Sequence, residues 1–133
     1  MSYQLENKVK NVFFTGFVNQ SKIHEYYSMA DIFILPSYYE TWGLVVNEAM
    51  CCECAILVSK LVGSSYDLLK EGENGYSFDP FLLNDLVKKM TAISYDFNNL
   101  AALKINSRKI IQNFSYQEVL EQLEVAVSVK GNY

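Results

Sequence analysis

The chain has 133 residues, which suffice for one globular domain and are too few for two of ordinary size. Half of the residues are hydrophobic and a fifth are charged, which excludes a disordered segment and a membrane bundle. Eleven basic against fifteen acidic residues give a net charge of -4, which argues against nucleic acid as a partner, because phosphate contacts require a basic surplus.

The sequence also indicates a reducing compartment. No apolar run is long enough to span a bilayer, and the first ten residues contain Glu6, Lys8 and Lys10 instead of the apolar core of a signal peptide. All three cysteines lie between positions 51 and 54, so none has a distant disulfide partner. We therefore expect a protein with reduced thiols that is cytoplasmic, or that faces the cytoplasm as part of something larger.

Strand and helix patterns alternate up to about residue 80, and helices alone follow. The run at 31–35 is apolar almost throughout and stops at Pro36, which is typical of a parallel strand buried on both faces. Ser21 and Ser65 precede helical patterns as N-caps, and Asp79-Pro80 is a helix-start signature. In chain order we predict a strand at 12–17, a helix at 22–29 with Ile23, Tyr26 and Tyr27 on its apolar side, a strand at 31–35, a helix at 43–52, a strand at 55–58, a short helix after Ser65, a strand at 76–78, and helices at 81–94, 100–113 and 115–129.

This alternation predicts an α/β fold, with a Rossmann-like parallel sheet and helices on both faces. We expect a single domain over residues 1–133, with the sheet and its helices at about 12–94 and C-terminal helices at about 100–129. The last helix begins with a capping box at Ser115 to Glu118. It is expected to bury Tyr116, Val119, Leu120, Leu123 and Val127.

The densest chemical signal lies at 36–50, between a buried strand and a helix at the carboxyl end of the sheet, where open α/β folds bind ligands. Gly43 allows a phosphate to approach the backbone, and the N–H groups of the first helical turn favour an anion. Glu40 and Glu48 lie eight positions apart and can flank one ligand by accepting hydrogen bonds from sugar hydroxyls. Composition alone favours a simpler interpretation, in which Glu40 is a loop acid and Glu48 a solvated helix residue.

The segment from Pro36 to Met50 resembles the nucleotide-sugar-binding motif of retaining glycosyltransferases of the GT-B fold, in particular glycosyltransferase family 4. The similarity continues upstream through 12–17 and YYSMADIFILPS at 26–37, and downstream through LVGSSYDLLKEGENGYSFDP at 61–80. It therefore covers nearly the whole chain. It implies that this chain is the donor-binding part of the C-terminal half of a GT-B fold, incomplete at its N-terminal side.

The resemblance implies a role for individual residues. Glu40 is the catalytic residue that contacts the donor sugar at the reaction centre, Gly43 and Leu44 offer backbone N–H groups to the diphosphate, and Glu48 holds the ribose hydroxyls. Asp67 stands where the family often has glutamate, in a loop that faces the donor, which implies a donor-binding role; an ordinary acid of a short helix explains it equally well. Further donor-binding residues implied by the resemblance are Ser37, Thr41 and, near the base, Val18.

The resemblance also implies partners and chemistry. A nucleotide-diphosphate sugar is the substrate, no metal cofactor is expected, and the sugar is transferred with retention to a hydroxyl acceptor in polysaccharide, lipopolysaccharide or glycoconjugate synthesis. Family members carry an N-terminal acceptor-binding domain and, ahead of the strand at 12–17, two further strands and a basic pair, none of which precedes Val12 here. The sheet must leave a gap, close it or borrow a neighbour. The resemblance is compatible with peripheral association of the full-length enzyme with the cytoplasmic face of a membrane.

The chain departs from the family pattern after Met50, where CCECA stands at 51–55. Glu53 replaces a glycine that often ends the helix with positive φ, and Ala55 replaces a proline, so we expect a strained or longer helix end.

Other interpretations compete with this one. Cys51 and Cys54 have redox-pair spacing, but they follow a helix instead of preceding it, so buried or idle thiols are favoured over a redox or zinc site. His24 is expected on the surface, and the tyrosines are expected in the core or at a domain interface more than as stacking platforms. A non-catalytic α/β binding or regulatory domain is the alternative from another class of protein, and it leaves the paired acids unexplained.

Overall fold

The computed structural model describes residues 11–125 except 116, 119, 122 and 123. It contains a three-stranded parallel sheet in the order β1-β2-β3. The predicted α/β class with a parallel sheet is confirmed. In chain order the elements are α1 (Gln20–Met29), β1 (Ile32–Leu35), α2 (Leu44–Cys51), β2 (Ala55–Ser59), α3 (Ser65–Leu68), β3 (Gly75–Phe78), α4 (Leu83–Tyr95) and α5 (Phe97–Gln112).

The central strand β2 is buried along its whole length and divides two apolar layers. Because side chains alternate across a strand, Ile56 and Val58 face one layer while Ala55 and Leu57 face the other. The first layer includes Tyr27 of α1 with Val46, Ala49 and Met50 of α2. The second includes Ile93 of α4 with Leu100 and Leu103 of α5. Helices therefore cover both faces of the sheet, as the alternation predicts.

The sequence predicts that β1 is buried on both faces. This prediction is wrong, because β1 is an edge strand and all four of its residues are only half-buried. Its register places Ile34 beside Leu57 of β2, and among the described residues no strand pairs with its other edge. The three arrangements foreseen for the sheet all assume a strand at 12–17, whereas the described part of the sheet ends at the open edge of β1.

The strand predicted at 12–17 is wrong, since these residues have no regular secondary structure. Phe13, Phe14 and Phe17 are exposed, and Gly16 has a φ of 67°. Extended backbone becomes a strand only when a partner satisfies its N–H and C=O groups, and aromatic or β-branched composition does not supply that partner.

Helix starts differ from the predictions by one to three residues. Asn19, not Ser21, caps α1, because its Oδ1 accepts from the N–H of Ser21 at 3.0 Å. Ser64, not Ser65, stands at the N-cap of α3. Asp79 Oδ1 accepts from the N–H of Phe81, so a turn follows Pro80 and α4 begins at Leu83 instead of Phe81.

The C-terminal helices are described in part. Asp96 caps α5, which begins at Phe97, three residues before the prediction. Ser115 Oγ accepts from the N–H of Glu118 at 3.3 Å, and the described residues from 117 to 125 are helical. Of the positions expected on the buried side of this helix, Leu120 is exposed, which contradicts the prediction. The others lie outside the described residues, namely Tyr116, Val119, Leu123 and Val127. Within the described ranges no helix is long and apolar enough to cross a membrane.

The backbone just after α2 is strained, and the helix is not longer than expected, since it ends at Cys51. Glu53 has a φ of 62°, the left-handed conformation that favours glycine. The N–H groups of Cys52 and Cys54 both donate to Ala49 O, at 3.1 and 3.0 Å, which caps a carbonyl of the last helical turn. The interpretation that Glu53 occupies a glycine position is confirmed.

Candidate functional site

Two loops meet at the carboxyl end of the sheet, one after β1 and one after β2. The N–H of Glu40 donates to Leu61 O at 3.3 Å, and the N–H of Gly63 donates to Glu40 O at 2.9 Å. A Cβ on Gly63 would lie 1.9 Å from Thr41 O, so only glycine allows this approach. The backbone of Glu40 is therefore held from both sides by the neighbouring loop.

The turn into α2 begins at Gly43, which has a φ of 90°. Within the described part of the chain, the backbone N–H groups of Gly43, Leu44 and Val45 donate to no acceptor, as expected for the first turn of a helix. Trp42 Nε1 donates to Asn47 Oδ1 at 3.1 Å and so braces the loop against the helix. The arrangement presents free donors and the positive end of the helix dipole to an anion.

Glu48 lies in the second turn of α2 and is half-buried. The hydroxyl of Tyr27 donates to Glu48 Oε2 at 3.3 Å. Burial, and then the adjacent Glu48 charge, raise the pKa of Tyr27 to about 12. The hydroxyl consequently keeps its proton throughout the neutral range.

The two acids line different concavities, and the structure does not place both in one. The Glu48 concavity, of about 430 Å³, lies between α1 and α2 and is lined by Gln20, Ile23, His24, Tyr27, Asn47, Glu48, Cys51 and Cys52. The Glu40 concavity, of about 330 Å³, lies over the two loops and is lined by Tyr38, Tyr39, Glu40, Thr41, Lys60, Leu61, Gly63 and Tyr66. The turn at Gly43 lies between Glu40 and Glu48 in the chain, and a Cβ on it would lie 3.2 Å from Glu40 Cγ.

The remaining predicted site residues occupy varied positions. Leu44 is exposed in the first turn of α2, and Ser37 is half-buried just after β1. Val18 is half-buried immediately before the cap of α1, and Asp67 is exposed on α3. None of these four lines either of the two concavities.

The cysteines do not form a cluster of equivalent thiols. Cys51 is exposed, whereas Cys54 is buried and donates from Sγ to Tyr27 O at 3.2 Å. Burial raises the pKa of Cys54 to about 11, which keeps it a thiol. Across the described residues, no group of three or more histidine, cysteine or acidic side chains is arranged to hold a metal ion.

Two features of the site were not predicted from the sequence. The sequence placed Tyr27 on the apolar side of α1 but did not predict the hydrogen bond from its hydroxyl to Glu48. Lys60 is the positively charged side chain in the lining of the Glu40 concavity. Its position directly after β2, at the same edge of the sheet as Glu40, was the available signal.

Known structures share this arrangement of sheet, loops and helices. Sucrose-phosphate synthase from Thermosynechococcus elongatus superposes with a TM-score of 0.80 and 27% identity over 99% of this chain and 34% of that protein. HepE from Anabaena, solved in complex with UDP, gives a TM-score of 0.77 and 26% identity over 96% of this chain and 34% of its own. The fold is that of the GT-B glycosyltransferases.

Sequence comparison defines the family. The pattern of the glycosyl transferases group 1 family matches residues 2–110. Alpha-galactosylglucosyldiacylglycerol synthase from Streptococcus pneumoniae is 31% identical over 113 residues, which are 76% of this chain and 30% of that enzyme. The chain belongs to the glycosyl transferases group 1 family. It spans about a third of the length of these relatives.

Proposed function

We propose that this chain binds a nucleotide-diphosphate sugar, and that the complete protein transfers the sugar to a hydroxyl acceptor with retention at the anomeric carbon. One observation carries the proposal: at the carboxyl end of a parallel sheet, Glu40 precedes and Glu48 follows, along the chain, the glycine turn that begins α2. The similarity to HepE, which was solved with UDP, supports a nucleoside diphosphate as the leaving group.

Each part of the donor has a matching group in this proposal. Glu48 accepts hydrogen bonds from the ribose hydroxyls, and the free N–H groups of Gly43 and Leu44 receive the diphosphate. Glu40 contacts the transferred sugar as the catalytic residue. The donor would extend past the Gly43 turn from the Glu48 concavity to the Glu40 concavity.

The turn at Gly43 is important for binding the negatively charged diphosphate. Two carboxylates repel a diphosphate, and the helix dipole with its unpaired N–H groups offsets that repulsion. Lys60 adds a positive charge near Glu40. We propose that this transfer needs no metal, and that the basic pair with which the donor-binding domain of the family opens completes the neutralisation.

The cellular setting is part of the same proposal. A nucleotide sugar is a cytoplasmic metabolite, so we place the protein in the cytoplasm, where peripheral association with a membrane would give access to a lipid-linked acceptor. The products would be a polysaccharide, lipopolysaccharide or other glycoconjugate. The pneumococcal relative, named as a synthase of a glycosylated diacylglycerol, supports that product class.

Calorimetric titration with UDP-, GDP- and ADP-glucose tests the proposal. One of the three is expected to bind weakly, and Glu48→Ala should reduce its affinity about 10- to 100-fold, because a hydrogen bond to a charged group contributes about 1.5–3 kcal/mol. Glu25→Ala, which removes an exposed acid of α1, is the matched control and should bind like the parent chain.

Two results would contradict parts of this proposal. If no nucleotide sugar binds, or if Glu48→Ala binds as tightly as its parent, the donor site is wrongly assigned. If a full-length version binds the donor and transfers no sugar to any hydroxyl acceptor, the non-catalytic binding domain becomes the better description.

A further inference from the structure

Among the residues that the structure describes, a single side-chain hydrogen bond joins Glu48 to another part of the chain. Its donor is the hydroxyl of Tyr27 on α1, which reaches Oε2 at 3.3 Å across the wall of the Glu48 concavity. Within the described residues, the other carboxylate oxygen, Oε1, accepts no hydrogen bond. Of the two carboxylate oxygens, Oε2 is therefore bonded to the protein and Oε1 is available to a ligand.

Tyr27 is a rigid partner for that carboxylate. Its ring belongs to the apolar core and is only 8% exposed. It meets the ring of Phe33 on β1 edge-on, with centroids 5.6 Å apart and planes at 85°. A ring fixed by burial and by an aromatic contact holds its hydroxyl in one place, at the rim of the concavity.

A glutamate without such a partner is a poor binding group. Its side chain rotates about three bonds, and ordering it upon ligand binding costs free energy. A carboxylate offers about four lone-pair positions, so one bond from a tyrosine leaves room for a vicinal diol to donate to the same group. A fixed carboxylate binds the diol without the cost of ordering.

We propose that Tyr27 is a positioning residue of the donor site, whose hydroxyl holds Glu48 in the orientation that accepts from the ribose hydroxyls of the nucleotide. This inference rests on the proposed function, which assigns the ribose to Glu48. The role belongs to the hydroxyl alone, because the ring has a separate role in the core.

The chemistry of the pair agrees with this role. Burial and the charge of Glu48 raise the pKa of Tyr27 to about 12, so the hydroxyl remains a donor at every pH at which the enzyme would work. Hydrogen bonds to an ionised acceptor are stronger than those between neutral groups.

Binding measurements on the whole 133-residue chain separate the hydroxyl from the ring. The probes are whichever of UDP, GDP and ADP binds, and the 2′,3′-dideoxy form of the same nucleotide. Tyr27→Phe keeps the ring and its contact with Phe33. It is expected to weaken binding of the ribonucleotide about fivefold and leave the dideoxy nucleotide unchanged, in line with the loss of one hydrogen bond.

Two further variants complete the design. Tyr26→Phe removes the hydroxyl of the neighbouring tyrosine, which has no hydrogen bond among the described residues, and should bind like the parent. In a Glu48→Ala background, Tyr27→Phe should have no further effect, since the two residues act as a unit. In a complete enzyme, Tyr27→Phe should raise the KM for the donor and leave kcat unchanged, as expected when uniform binding is lost.

The outcomes distinguish this inference from the proposed function. If Glu48→Ala does not weaken ribonucleotide binding, or no nucleotide binds, the proposed function fails and the inference fails with it. If Glu48→Ala weakens binding and Tyr27→Phe does not, or if Tyr27→Phe weakens both nucleotides equally, the inference alone is overturned.

A spectroscopic measurement covers the case in which Tyr27→Phe does not fold. In the parent chain labelled with ¹³C at the tyrosine Cζ atoms, the Tyr27 signal is expected to shift on addition of the ribonucleotide and to shift much less with the dideoxy form. Equal shifts with both nucleotides would overturn the inference.

Discussion

Replacing Gly63 by alanine perturbs the loop that holds Glu40 without touching a charged group. The added Cβ would lie 1.9 Å from Thr41 O, and ordinary contact begins at 3.4 Å, so the carbonyl must retreat by about 1.5 Å. That shift breaks the bond from the Gly63 N–H to Glu40 O, and it strains the bond from the Ser64 N–H to Trp42 O. At about 1 kcal/mol for each bond, we expect a loss of about 2 kcal/mol in the free energy of unfolding.

The same shift moves Glu40 relative to the donor sugar. Because Glu40 is proposed to contact the sugar and not the nucleotide, Gly63→Ala should weaken binding of the nucleotide sugar and leave binding of the free nucleoside diphosphate nearly unchanged. In a complete enzyme, a displacement of about 1 Å at the reaction centre should reduce transfer about 100-fold.

Gly75→Ala is a matched control, because its Cβ would lie 1.8 Å from Ile56 O, a clash of the same severity. This clash lies between β2 and β3, outside both concavities, so it should lower stability without altering the preference for the sugar over the free diphosphate. Chemical denaturation and calorimetric titration of both variants provide the comparison. A Gly63→Ala chain with unaltered stability and unaltered sugar preference would refute the reasoning.

Three further predictions concern the end of α2, the buried ionisable groups and the isolated chain. Glu53→Gly should raise the free energy of unfolding by about 0.5–1 kcal/mol, because relief of left-handed strain exceeds the entropy added to the unfolded chain; an unchanged denaturation midpoint would contradict it. Stability should be fully present below pH 9, then fall between pH 9 and about 11 through Cys54 and between pH 10 and about 12 through Tyr27, because the unfolded chain releases these protons first. Cys54→Ala should remove the first part of that fall in pH-dependent denaturation, and an identical curve would count against it. The 133-residue chain alone should show no sugar transfer in a radiolabel assay, because holding donor and acceptor in one geometry contributes about 7–11 kcal/mol and the proposed acceptor-binding domain is needed to hold the acceptor; transfer by this chain would disprove the need for that domain.

Local sequence patterns were sufficient wherever one short segment carried its own signal. The uninterrupted apolar run at 55–58 predicted a buried strand and is one, since a strand between two others has both faces covered. The replacement of a glycine by Glu53 predicted a positive φ at the end of α2. The apolar run that stops at Pro36 and the helical pattern that starts at Gly43 predicted a strand-to-helix turn with unpaired N–H groups, and that turn is present.

Features that depend on distant segments were decided only by the tertiary structure. The run at 12–17 has the composition of a strand and forms no strand of the described sheet, and β1 has the composition of a buried strand and lies at an open edge. The hydroxyl of Tyr27 meets Glu48 from 21 positions away, and Gly63 meets Thr41 across two loops. The periodicity of a sequence shows which face of a helix or strand is apolar. It does not show which elements pair or which donors bond to which acceptors. Those contacts depend on how the helices pack on the sheet, because a donor and an acceptor from distant segments come together only in the packed structure.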